Sequence, residues 1–197
     1  LGTINIDADA RAYADTGSAY AYASAEGIQQ HAYATSEGAN VLLSQAAVNI
    51  TASASAAAET FAYASAFVND GIDQFAYSTN GGDAVARVDI GQLDVRAVAN
   101  AAGTSASAYA EVQDAIEVDA SAQGGGNAFA YVSLDGANII ADAEADGTGF
   151  AIAYATNQDA IDLDATATEG SALASLNLTG DINIVAMANA YASAGTA

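Results

Sequence analysis

The feature that most limits what this chain can fold into is a column of alanines at a spacing of two. Ala8, Ala32, Ala52, Ala76, Ala97, Ala120, Ala143, Ala165 and Ala186 each stand four residues after an aliphatic one: Ile4, Ile28, Val48, Ile72, Leu93, Ile116, Ile139, Ile161 and Ile182. Two residues further on come Ala10, Ala34, Ala54, Ser78, Ala99, Ala122, Ala145, Ala167 and Ala188. A helix spreads side chains of this spacing around its surface, whereas a strand sends them all to one face. The anchors recur every 20 to 24 residues, a period of repeat architectures. A face that admits only small side chains requires an opposing wall close by. The predicted fold is therefore all-β: a two-walled β-solenoid with a narrow Ala-rich core. It has about nine strand-turn-strand rungs, one for each repeat of about 22 residues. Rungs stacked about 4.8 Å apart would build a rod roughly 40 Å long. Residues 1–197 form a single repeat domain on this reading.

Each repeat carries a second strand with its own inward alternation. Its first column reads Ala19, Ala39, Ala62, Ala84, Ala106, Ala128, Ala151 and Ala172. Larger residues end these strands at Val68, Ile90, Val112, Leu134 and Leu178, beside the first-strand anchors, so one edge of the cross-section is expected to be thicker. Between strands lie short Gly turns such as Glu37-Gly38, Asp70-Gly71 and Asp146-Gly147. Gly, Asp and Asn supply the positive φ values and local hydrogen bonds of tight turns. Gln30 and Gln74 fall on the inward phase in two repeats that share Ile-x-Gln-x-Ala-Tyr-x-Thr. One repeat lies between them, so backbone at the wall is the expected partner of each amide.

Charge narrows the choice of partner. The chain carries 24 carboxylates against 3 arginines, a formal charge of −21. Nucleic acid is excluded as a partner, because nothing would replace the phosphate counterions. Bare anionic membranes are disfavoured for the same reason, and no apolar stretch reaches spanning length. Without Cys there is neither disulfide nor thiol chemistry, and without Pro the ladders run unbroken. A chain that opens on Leu1, with no visible signal peptide, reads as processed or partial.

The outward columns differ in chemistry. Asp119, Asp142 and Asp164 are expected on consecutive rungs, with Glu117 and Asp162 beside them. Carboxylates at rung spacing repel, raise their pKa values or take a cation, and Ca²⁺ suits several carboxylate oxygens. The plain alternative is a solvated acidic face, and no cofactor is required. On the second strands, Phe129, Ile152 and Leu173 would stand beside Tyr109, Tyr131 and Tyr154. Exposed apolar ladders of this kind mark contact surfaces, here for lateral packing of one solenoid on another.

Catalysis finds little to work with. His31 is the sole His and sits in an outward column; there is no Cys, and no Gly-x-Ser-x-Gly elbow surrounds any Ser. Gly124-Gly125-Gly126 lacks the Lys of a phosphate loop and reads as a turn. The chain is not expected to be an enzyme.

At Gln123 the sequence runs Gln123-Gly-Gly-Gly-Asn127-Ala-Phe-Ala130-Tyr. This stretch resembles the strand-turn-strand unit of curlins, the subunits of bacterial curli fibres, with their Gln-x-Gly-x-Gly-Asn-x-Ala. The two-strand period of about 22 residues extends the resemblance over almost the whole chain. Here Ala fills positions where curlins carry regular inward Gln and Asn ladders, and Gln30, Gln74 and Gln123 echo them. The resemblance implies an extracellular functional amyloid of stacked β-solenoid subunits, serving biofilm matrix or adhesion at the cell surface.

The residues themselves point the same way. Leu178–Ile184 reads L-T-G-D-I-N-I and Leu1–Ile6 reads L-G-T-I-N-I, so the last repeat resembles the first. Neither end shows a cap, and an uncapped parallel edge invites a further copy. Ile4, Ile6, Ile182 and Ile184 are the expected stacking residues, and the partner is self, head to tail. An ice-binding or other surface-binding solenoid and a β-helical adhesin segment are the alternatives.

Overall fold

The computed structural model describes residues 2–194; Leu1, which opens the first-repeat motif, lies outside them. These residues form one curled parallel sheet of ten strands, with no helix among them. The strands are β1 (Thr3–Ala14), β2 (Ser18–Ala25), β3 (Ile28–Ala34), β4 (Ala39–Ala58), β5 (Phe61–Asp70), β6 (Ile72–Ser78), β7 (Ala84–Ala122), β8 (Ala128–Ala167), β9 (Ala172–Leu178) and β10 (Ile182–Ala192). β4, β7 and β8 are long because mild bends join successive arms without breaking the ladder; β7 alone takes in the arms 84–90, 92–102, 105–114 and 116–122.

Register is where the structure departs from the reading of one rung per repeat. Every arm pairs in parallel with the arm 43 to 45 residues on, which is two repeats away. Ile4 stands beside Val48, then Leu93, Ala137 and Ile182. The sequence columns therefore split into interleaved sets: Ala19, Ala62, Ala106 and Ala151 form one, and Ala39, Ala84, Ala128 and Ala172 form another. A ladder of five strands spans about 20 Å at parallel-strand spacing, half the height that one rung per repeat would give. One alignment also moves. Ala137, not Ile139, holds the anchor place in its repeat, so Ala141 continues the column of Ala8, Ala52 and Ala97.

The interior follows the alternation. Ala52, Ala76, Ala97 and Ala143 are fully buried, as are Ala64, Ala86, Ala108 and Ala130. Arms joined by the tight turns, such as β1 and β2, face each other across this interior. Ile50, Ile72, Ile90, Leu93, Ile116, Leu134 and Ile139 are large buried side chains, and they lie within a few residues of the mild bends near 46, 71, 91, 115 and 136. Larger residues thus cluster beside these bends, away from the tight turns at Gly17, Gly81 and Gly124.

Glycine is required where successive layers touch. A Cβ on Gly126 would strike the carbonyl oxygen of Gly82, and one on Gly170 would strike that of Gly126. The neighbouring turn column is tied by side chains: Asp83 Oδ1 accepts from the Asn127 amide N–H at 2.8 Å and from Asn127 Nδ2 at 3.1 Å, and Asn127 Oδ1 accepts from Ser171 N–H at 3.0 Å. Gly124 and Gly125 have φ of 77° and 100°, as a turn needs. Gln74 is fully buried directly beside Gln30, because the strand two repeats on is the adjacent one. Its Nε2 donates to the Asp73 carbonyl at 3.1 Å, and its Oε1 has no protein partner.

Candidate functional site

Two arms that follow each other in the chain share an alanine interior and carry opposite exteriors. The arm 72–78, 117–122 and 161–167, together with the bend before it, is acidic. Asp114 stands beside Asp70 and Asp159, Glu117 beside Asp73 and Asp162, and Asp119 beside Asp164. Carboxylate oxygens of Asp70, Asp114 and Glu117 lie within 4.8 Å of one another. Burial pushes Asp114, Glu117 and Asp119 above the ordinary carboxylate range, and neighbouring carboxylates push them further: Asp159 and Asp70 act on Asp114, Asp119 and Asp73 on Glu117, and Asp164 and Asp162 on Asp119.

The expected triad is divided. Asp119 and Asp164 are neighbours, with Glu117 and Asp162 next to them, but Asp142 lies on another arm between Val98 and Met187. It is set apart because each arm pairs with the arm two repeats on, which joins Asp119 directly to Asp164 and leaves the intervening repeat on another ladder. Asp70, Asp73, Asp114 and Asp159 complete the acidic columns and were missed. Their signal is recurrence: Asp70, Asp114 and Asp159 are 44 and 45 residues apart.

The arm 18–25, 61–68, 105–112 and 150–157 is aromatic. Tyr20 meets Phe61 and Tyr63 with ring centroids 5.7 and 6.4 Å apart, and Tyr22 meets Phe67 at 5.5 Å. Tyr109 and Tyr154 are register partners whose rings stack at 4.9 Å. Ile152 and Phe150 complete the face. Ser65 shares this outward phase yet is fully buried, and its hydroxyl has no partner. The other half of the expected apolar surface belongs to a different arm, where Phe129 stands beside Val85 and Leu173, and Tyr131 beside Arg87 and Ser175. The single lateral wall read from the sequence is thus two separate patches.

Cations are few and already engaged. Arg11, Arg87 and Arg96 each bind the carboxylate two residues away on the same face: Asp9 at 2.9 Å, Asp89 at 3.4 Å and Asp94 at 2.6 Å. His31 Nε2 lies 2.8 Å from Asp73 Oδ2. A groove of about 510 Å³ beside the first turns is lined by Tyr13, Asp15, Glu59, Thr104, Asp146 and Thr148. It gathers carboxylates without a nucleophile beside a base.

Among the described residues, both ends of the sheet expose strand edges. β1, β2, β3 and the start of β4 pair on one side only, as do the end of β8, β9 and β10. Ile4 and Ile6 are half-buried at one edge; Ile182 is half-buried and Ile184 is 49% exposed at the other. Among the described residues, no helix is long and apolar enough to cross a membrane. Comparison with protein-family models, with curated proteins and with solved structures found no match.

Proposed function

We propose that this chain is a structural subunit of an extracellular, curlin-like fibre, built by end-to-end stacking of β-solenoid units whose coil is two repeats long. The observation that carries the reading is the pair of open parallel edges, presenting the same inward columns as the interior of the sheet. Stacking extends a hydrogen-bond ladder from copy to copy without new secondary structure, and a contact of unlike ends does not close on itself. The Gly82-Gly126-Gly170 column and the Asp83-Asn127-Ser171 ties support the kinship with curlins, whose turns hold glycine and asparagine at matching places. The role is structural rather than catalytic, with self as the partner and the cell surface as the place of action.

Repulsion among the carboxylate columns sets the ionic condition for assembly, and Ca²⁺ is the cation that would relieve it. Negative-stain electron microscopy of purified protein, with millimolar Ca²⁺ and with chelator, tests the reading. Long unbranched filaments are expected, denser with Ca²⁺. Discrete short particles under both conditions overturn end-to-end stacking and leave a monomeric surface-binding solenoid.

A further inference from the structure

The aromatic arm is set apart by what it lacks. Of its sixteen outward positions, nine are Tyr, Phe or Ile, and Glu111 is the only charged one. In a chain of net charge −21, this face carries a single carboxylate. We propose that it binds the same face of a second copy, side by side, as a contact separate from end-to-end stacking.

Charge selects the occupant. Two copies of net charge −21 repel overall, and burying the acidic arm against a neighbour would desolvate unpaired carboxylates. Meeting through the aromatic arm puts nearly every carboxylate outside the contact. A two-fold contact uses one patch on both partners, so an uncharged face needs no complement elsewhere. The rings are also arranged for it. Tyr20, Tyr22 and Tyr154 are 66%, 65% and 48% exposed, and each already leans on a neighbouring ring, so little side-chain freedom is lost on binding. Ser65, between Tyr22 and Tyr109 in the register, is fully buried. Tyrosine suits such a contact, with an apolar ring and a hydroxyl that stays wet at the rim.

Size sets the strength. Strands of eight residues, four side by side, cover about 500 Å² at ordinary strand rise and spacing. A standard interface takes about 800 Å² from each partner. A single pair is therefore weak, with a dissociation constant on the order of micromolar or above. Within a stack the patch recurs at every copy, and the contacts act together.

Sedimentation velocity over a concentration series, comparing wild type with Tyr22→Glu/Tyr154→Glu, tests the proposal. Wild type should show concentration-dependent pairing, and the double variant should need at least tenfold more protein to pair. Electron microscopy separates the two contacts: the face contact widens particles, whereas stacking lengthens them. Loss of widening with lengthening retained supports this interface alone, and lengthening lost with widening retained removes only the end-to-end reading. Equal association of both proteins, or wild type monomeric at millimolar concentration, overturns the proposal. Should the variant fail to fold by circular dichroism, wild type decides by nitration. Tyr22 and Tyr154 should be protected at high concentration relative to low, and unchanged nitration overturns the interface.

Discussion

The aromatic and acidic arms are neighbours in the chain, are both built on parallel ladders that run through β7 and β8, and each bury their own column of alanines. Ala64 and Ala108 in one correspond to Ala76 and Ala120 in the other, all buried. Their exteriors have opposite energetics. Like side chains stacked at strand spacing attract when they are rings, as Tyr109 and Tyr154 do, and repel when they are carboxylates, as Asp114, Asp70 and Asp159 do. The comparison separates two jobs: inward alternation makes the fold, and outward columns decide what each face tolerates beside it.

Four substitutions break or sharpen that contrast. The largest effect is expected where neither exterior matters. Ile116→Ala, at a fully buried position beside the mild bend, should lose about 2–5 kcal/mol in urea denaturation, the usual range for a large core side chain cut to alanine. Next comes the narrow part of the core. Ala108→Leu should cost about 1–3 kcal/mol by overpacking. Unchanged stability there would show that the two alanine walls have room to separate.

The remaining two act on the exteriors with opposite sign. Tyr109→Ala removes the stacked ring pair and should cost about 1 kcal/mol, read as a lower denaturation midpoint. Asp114→Asn relieves the acidic column and should stabilise the protein at neutral pH by about 0.2–1 kcal/mol. A destabilised Asp114→Asn would mean that this carboxylate makes a favourable contact that outweighs the repulsion.

The acidic arm also sets a pH dependence. Asp114, Glu117 and Asp119 are raised on folding, from ordinary values of 3.8, 4.5 and 3.8. The folded state therefore binds their protons more tightly than the unfolded state. Their ionisation opposes folding above the raised values, and that opposition fades as pH falls through them. Their contribution to stability thus rises as the solution is acidified from neutrality toward the ordinary carboxylate range. Asp114→Asn should flatten that rise, which thermal melts over a pH series would record.

Much of this was legible in the sequence. Alternation at Ala8-Ala10 and its copies identifies strands, and the absence of Pro and long loops permits continuous ladders. Tyr109 and Tyr154 were placed on a common exposed face, and Asp119 with Asp164 on a common acidic one. The larger period was present as well. Ala8 to Ala52 and Ala32 to Ala76 are both 44 residues apart, whereas the steps between neighbours among these four are 24, 20 and 24. The shared Gln30 and Gln74 motif carried the same signal. It was hidden by the similarity of adjacent repeats, which makes the shorter spacing look sufficient.

What the sequence determined by itself is which side chains turn inward, because a strand has a fixed period of two and only alanine suits a thin interior. What only the tertiary structure decided is which repeat stands beside which. Inward columns are nearly alike in every repeat, so core packing is satisfied almost equally by pairing with the next repeat or with the one after. The choice falls to the bends, the glycines that must meet backbone, and the outward columns. Moving the pairing from one repeat to two brings Asp70, Asp114 and Asp159 together, sets Asp142 apart, and divides one expected apolar wall into two faces.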